Sequence, residues 1–170
     1  MNYLIGTKIK LVKFTDRYIT AEYLGWLNDH QVTRFLCTGR LPTDKSMIFA
    51  PKDNENFMFA IITTDDAMKY IGTCSLHKID WISRKAEIGY MLGEKNYWGK
   101  GIATELIGLL TDYGLNRLGL NKITAGVVEG NIGSIKALKN NEYLEYGINP
   151  QDYYLEGKFL DTHLFYKLRA

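Results

Sequence analysis

Residues 94–118, E-K-N-Y-W-G-K-G-I-A-T-E-L-I-G-L-L-T-D-Y-G-L-N-R-L, constrain this chain most. Trp98-Gly99-Lys100-Gly101-Ile102-Ala103 is a turn of small residues with one cation. Behind it Ala103, Leu106, Ile107, Leu110, Tyr113 and Arg117 recur at spacings of three and four, one face of a helix. In front, residues 86–92 (A-E-I-G-Y-M-L) read as a strand. The chain therefore runs strand, glycine loop, helix. Such a start leaves the first N–H groups of the helix without internal partners, at the positive end of its dipole, where phosphate binds well. Gly99 and Gly101 let a diphosphate approach the main chain with no Cβ in the way. The turn alone is a weak signal. It has neither the Gly-Lys-Ser/Thr of a P-loop nor the G-x-G-x-x-G spacing.

The length of 170 residues suits one domain, 1–170, with a substantial core. Hydrophobic residues are 46% and charged residues 24%, the balance of an ordinary folded chain. A net charge of +2, with lysines and arginines spread along the chain, argues against nucleic acid as a partner. No apolar run approaches a membrane span, and the first residues lack a signal-peptide core. Cys37 and Cys74 form no C-x-x-C, so neither a zinc site nor a disulfide framework is expected, no metal is expected, and a reduced cytoplasmic location is. No linker or internal repeat stands out.

In chain order, residues 8–14 alternate apolar and basic as a half-buried strand. Thr15-Asp16 is a cap signal, and residues 19–28 place Ile19, Tyr23, Trp26 and Leu27 on one helical stripe. Asp29-His30 breaks that helix before a short second one at 32–36, and Pro42-Thr43-Asp44 opens a third helical segment to about Ala50. A polar link at 51–56 leads to strands at 57–63, 69–79 and 84–92, an antiparallel meander. After the central helix, Gly119 is a terminator. A strand at 122–128, a helix at 131–140 and a strand at 143–148 follow. Residues 149–152 read as a turn, and a last hairpin turns at Glu156-Gly157-Lys158. The order is β-α-α-β-β-β-α-β-α-β-β, an α/β sheet of mixed direction with helices on both faces. Strands 86–92 and 122–128 are expected to be parallel neighbours.

The ordered runs A-E-I-G-Y-M-L, N-Y-W-G-K-G-I-A-T-E-L and A-G-V-V-E-G-N-I-G-S-I-K-A-L strongly resemble the GNAT superfamily of N-acetyltransferases, and within it the RimJ/RimL type. The run W-L-N-D-H-Q-V-T-R-F-L resembles the same group. The resemblance implies a sheet splayed open between strands 86–92 and 122–128, with acetyl-CoA as co-substrate in the V. It implies that the diphosphate sits on Trp98, Gly99, Lys100, Gly101, Ile102 and Ala103, with Trp98 in place of the group's usual Arg or Gln. The pantetheine then pairs with the strand edge around Met91 and Leu92. Asn131 and Ser134 match the family's Asn-x-x-Ser, so Asn131 is assigned to the cofactor and Ser134 to the leaving sulfur. The competing reading of both is a helix cap and a first-turn serine. The tyrosine that many relatives use four residues further on is Leu138 here. Glu142 stands where relatives carry glycine, so either Asn141 takes the left-handed conformation or this helix ends differently. Members often pair, which makes a homodimer an expectation.

Acetyl transfer needs a neutral amine, a polarised thioester carbonyl and a proton or hydrogen bond for the departing thiolate. Glu87 is the candidate base, acting directly or through water, with His77 second. A surface ion pair is the competing reading for Glu87. Strand alternation puts Glu87, Gly89 and Met91 on one face and Ile88, Tyr90 and Leu92 on the other. A backbone N–H near Met91 is the expected oxyanion donor. Trp26, Arg34, Phe35 and Trp81 are the candidate acceptor contacts, each competing with packing or solvation. The acceptor is a protein N-terminal amine or a small amine, including an amino sugar on a nucleotide. Two other function classes stay open: a non-catalytic CoA-binding sensor or interaction domain, and an ATP-binding regulator using the glycine loop.

Overall fold

The two apolar runs 57–63 and 122–128 form strands with those limits, β3 (Phe57–Thr63) and β6 (Lys122–Val128). The computed structural model describes residues 3–37, 42–48 and 56–170. The other elements are β1 (Tyr3–Ile5), β2 (Ile9–Lys13), α1 (Ala21–Leu27), α2 (His30–Thr33), β4 (Tyr70–Asp80) and β5 (Lys85–Leu92). Then come α3 (Ile102–Asp112), α4 (Ile132–Asn140), β7 (Leu144–Leu155) and β8 (Lys158–Leu168). They build one eight-stranded sheet in the order β1-β2-β3-β4-β5-β6-β8-β7. Every neighbouring pair is antiparallel except β5–β6. The mixed α/β fold and the parallel pair agree with the sequence reading.

Two apolar layers hold the sheet. On one face Leu106, Ile107 and Leu110 of α3 are fully buried against Ile61, Leu76, Ile88 and Ile123. Each such side chain contributes about 1.5–3 kcal/mol. On the other face Tyr23 and Leu27 of α1 pack with Phe14, Ala60, Ile62 and Met91. The helix predicted from the Ala103-to-Arg117 stripe ends its α-helical part at Asp112 and widens into a π turn at Tyr113–Arg117.

Several boundaries move, each for a local reason. β1 was too short to show alternation and appears only because it pairs with β2. Thr20, not Thr15-Asp16, caps α1, its hydroxyl accepting from Tyr23 N at 3.2 Å. Asp29 caps α2, accepting from Gln31 N at 2.9 Å, which draws that helix N-terminal of the predicted 32–36. Of the segment predicted from Pro42, a 3-10 turn forms at Lys45–Met47; residues 49–55 lie outside the described residues. The turn predicted at 149–152 is instead a bulge within β7. Asn149 pairs with Thr162 and Tyr153 with Leu160, so Pro150, Gln151 and Asp152 face Asp161 alone. The Asp161 carboxylate accepts from Gln151 N at 2.8 Å. Pro150 is tolerated because β7 is an edge strand.

α4 ends with Asn141 at φ −99° and Glu142 at φ +60°, so the glutamate itself takes the left-handed turn. Neighbours hold it there. The Asn141 amide donates to the carbonyls of Thr104 and Ala137, and Lys167 Nζ lies 3.0 Å from the Glu142 carboxylate.

Candidate active site

Parallel pairing between β5 and β6 lasts for three residues only: Lys85↔Lys122, Ala86↔Ile123 and Glu87↔Thr124. Beyond Glu87 the strands separate, and a cleft opens between them. Ile88, Gly89 and Tyr90 form one wall and residues 125–128 the other. Phe35 and Leu36, just after α2, and Asn131, Ser134 and Leu138 of the α4 region complete it. Gly89, Ala125 and Gly126 are the small residues along the gap.

The main chain of β5 faces this gap. The Ala86 carbonyl accepts from Thr124 Oγ1 at 3.2 Å, and the Leu92 carbonyl accepts from Trp98 Nε1 at 2.8 Å. Strand groups alternate sides, so the N–H and C=O of Ile88 and Tyr90, between those two, point the same way. Met91 points oppositely: a Cβ added at Gly72 of β4 would lie 2.2 Å from the Met91 oxygen. The main-chain donors toward the cleft therefore flank Met91 rather than belonging to it. The side chains of Met91 and Leu92 are committed to the two apolar layers.

The glycine loop turns away from β5 as predicted. A 3-10 turn at Lys95–Tyr97 leads to Trp98, Gly99 at φ +71° and Gly101 at φ +78°. Gly101 is the N-cap of α3, and among the described residues no side chain caps that helix. Ile102 is buried and anchors the first turn. Lys100 contributes its carbonyl, which accepts from Lys8 Nζ at 2.8 Å, while its own ammonium lies over the Tyr97 ring. A Cβ at Gly101 would sit 3.1 Å from Lys8 Nζ. Lys8 thus brings a second cation to the mouth of α3. No local signal marked it, because it arrives from the β1–β2 turn. That turn is held by the Glu105 carboxylate, which accepts from Lys8 N at 2.9 Å. Bare N–H groups, two cations and glycines at close approach suit a diphosphate.

Asn131 is the N-cap of α4, its side-chain oxygen accepting from Ser134 N at 3.3 Å. The cap reading therefore holds, and the amide still lines the cleft. Ser134 Oγ lies 2.7 Å from the Tyr90 hydroxyl. Burial raises the Tyr90 phenol above its ordinary range, and the bond to Ser134 partly offsets this.

Glu87 lies on the opposite face of β5 from Tyr90, as alternation required. It pairs with His77 Nε2 at 3.5 Å and Lys78 Nζ at 2.9 Å. These contacts, the His77 hydrogen bond foremost, hold its carboxyl down at about 2. A carboxylate so stabilised is a weak base. The His77 ring also meets Ser75 Oγ at 3.2 Å, and its Cε1 lies 2.8 Å from where a Gly89 Cβ would stand. Gly89 is thus the thin wall between this cluster and the cleft.

The acceptor candidates separate. Phe35 lines the cleft. Arg34 is turned to Glu156 at the β7–β8 hairpin, at 3.2 Å. Trp26 packs on Tyr23 and Tyr70 and covers Gly93, where a Cβ would collide at 1.9 Å. Trp81 stands at the β4–β5 turn against Phe57, which belongs to the α3 face, and is not among the cleft residues. The Tyr153 hydroxyl, 2.7 Å from the Leu36 carbonyl, ties the β7–β8 hairpin to the rim of the cleft.

The chain is 38% identical over 113 residues to the uncharacterized N-acetyltransferase p20 of Bacillus licheniformis, a match covering 66% of this chain and 61% of that protein. Among solved structures, RimL, the ribosomal L7/L12 alpha-N-protein acetyltransferase in complex with coenzyme A, superposes with a TM-score of 0.85 at 19% identity over 98% of both chains. The spermidine N-acetyltransferase from Vibrio cholerae in complex with CoA and spermine gives 0.80 at 21% identity, covering 96% of this chain and 97% of that one. Both structures show the same fold. The acetyltransferase (GNAT) domain matches residues 8–143, and the chain belongs to that family.

Proposed function

We propose that this protein is an acetyl-CoA-dependent N-acetyltransferase acting on a primary amine, either a protein N-terminus or a small molecule. The observation that carries the reading is a gap between β5 and β6 running beside the uncapped mouth of α3. Acetyl-CoA, when bound, supplies an acetyl group activated as a thioester. The N–H groups of α3 from Ile102 onward, with Gly99, Gly101, Lys100 and Lys8, hold the diphosphate. Trp98 fixes the loop against Leu92. The main-chain groups of Ile88 and Tyr90 pair with the amide-bearing arm as a strand would, and a cleft-facing N–H beside Met91 steadies the carbonyl oxygen. Asn131 holds the first turn of α4, and Ser134 gives a hydrogen bond to the leaving sulfur.

On the acceptor side, the Glu87 carboxylate draws in the ammonium. Its proton leaves through the Glu87–His77 pair, directly or by way of water. Phe35 packs against the acceptor. As the N–C bond forms the C–S bond breaks, the amine loses one proton and the sulfur gains one. The free thiols of Cys37 and Cys74 suit the cytoplasm, and the homodimer implied by the RimJ/RimL resemblance is read by light scattering.

The test mixes pure protein and acetyl-CoA with a panel of peptides, amino-sugar nucleotides and polyamines, and follows free thiol. Saturable thiol release with one class names the acceptor. Thermal stabilisation by CoA with no release from any amine points to a sensor. Stabilisation by ATP in preference to CoA overturns the reading.

A further inference from the structure

Two hydroxyls meet inside the cleft. Tyr90 Oη and Ser134 Oγ are 2.7 Å apart, and both residues line the gap. They come from different elements around the gap, Tyr90 from β5 and Ser134 from the first turn of α4. A hydroxyl pair holds two protons, and the bond between them uses one. Which proton stays free decides what the pair offers the cleft. If Tyr90 accepts, the serine proton is spent on the phenol. If Tyr90 donates, the Ser134 oxygen is satisfied as an acceptor and its own proton is released to a third group. A serine hydroxyl rotates freely unless a neighbour fixes it. The Tyr90 ring is fixed, because it packs against the apolar layer under α3 and α4. Leu138, one turn beyond Ser134, is 2% exposed and carries no polar group.

We infer that Tyr90 is a positioning residue, its hydroxyl donating to Ser134 Oγ so that the serine proton is aimed into the cleft at the departing sulfur. This rests on the acyl-transfer reading and on the role given there to Ser134. Tyr90 does not itself surrender a proton. Burial keeps the phenol protonated and makes a tyrosinate at this place costly. As the C–S bond breaks, its electron pair goes to sulfur and Ser134 stabilises that charge by hydrogen bonding, with the positive end of α4 adding to it. The proton that finally neutralises sulfur equals the one lost by the amine.

The test is a double-mutant cycle of Tyr90→Phe and Ser134→Ala, read in three ways: kcat with the best amine, affinity for CoA, and the preference for CoA over desulfo-CoA. Expected is a loss of about tenfold in kcat for each single variant, the size of one hydrogen bond at the reacting atoms. CoA affinity stays within severalfold of the parent. The double variant is no slower than Ser134→Ala alone, because Tyr90 acts through the serine. The preference for CoA over desulfo-CoA falls in both single variants, and this binding readout needs no turnover. Melting of each free variant shows whether it is folded.

Full activity and full thiol preference in Tyr90→Phe, with Ser134→Ala impaired, overturns the inference and leaves the serine assignment standing. Losses that multiply in the double variant also overturn it, since Tyr90 then acts independently. A Ser134→Ala variant as fast as the parent removes the serine assignment and the inference together. Acyl transfer itself is judged separately by thiol release from the unaltered protein.

Discussion

The two helices bordering the gap begin in opposite ways. α4 opens on Asn131, whose side chain turns back to accept from Ser134 N. α3 opens on Gly101 in the left-handed conformation with no side-chain cap. α1 and α2 follow α4, capped by Thr20 and Asp29. A side-chain cap is worth about 1 kcal/mol, so a helix without one forgoes stability it could have. Here α3 compensates by burying Leu106, Ile107 and Leu110 completely. The difference teaches where each helix directs its first N–H groups: α4 spends one on its own cap, and α3 leaves them facing outward beside two lysines.

The largest effect expected from breaking this contrast is at Gly101. Gly101→Val puts a β-branched residue at φ +78°, with its Cβ 3.1 Å from Lys8 Nζ. The KM for acetyl-CoA should rise by at least about tenfold, with about 1–2 kcal/mol of stability lost to the strained backbone. Steady-state kinetics and CoA thermal shift check this, and an unchanged KM would mean that the mouth of α3 holds no phosphate. Asn131 sharpens the other side. Asn131→Ala should cost about 1 kcal/mol in urea unfolding, whereas Asn131→Ser keeps a cap and most of that stability. Equal loss of CoA affinity in both would show that the amide touches the cofactor as well as the helix.

The smallest effect lies on the sheet face, away from both helix mouths, at Glu87. Its carboxyl is held at about 2 in the folded chain, by His77 first and Lys78 next. An unfolded glutamate titrates near 4.3, so the folded value is depressed. The pair therefore stabilises the fold fully above about pH 4.5 and stops doing so as the pH falls through about 2. Melting temperature should drop across that window in the parent protein. Glu87→Gln should be less stable at pH 7 by about 1 kcal/mol, solvent screening limiting the figure, and should show a shallower drop. Parallel melting curves for the two proteins would dissolve the His77–Glu87–Lys78 cluster as an electrostatic unit.

Local patterns were legible where short-range chemistry decides. β3 and β6 are apolar runs bounded by polar turns. The β7–β8 turn is Glu156-Gly157, both at positive φ, a two-residue hairpin of the kind a glycine there announces. The glycine loop and α3 were legible for the same reason. Less visible was anything needing a distant partner. Glu142 accepts a strained turn because Asn141 and Lys167 hold the neighbouring chain, a bond network no local rule contains. Arg34 looked available until Glu156, 122 residues away, met it.

Sequence alone therefore determined most of the segments that pair or coil and where a main-chain cradle begins, since those follow from side-chain period, glycine and caps within a few residues. Tertiary structure decided the rest. It brought Lys8 to the Lys100 carbonyl across 92 residues and Tyr90 to Ser134 across 44. It bound Glu87 into an ion pair that weakens it as a base, and it sent Trp81 to the α3 face. Charges and hydroxyls act over a few ångströms, and which of them stand that close is settled only when the sheet has closed at Glu87↔Thr124 and parted beyond it.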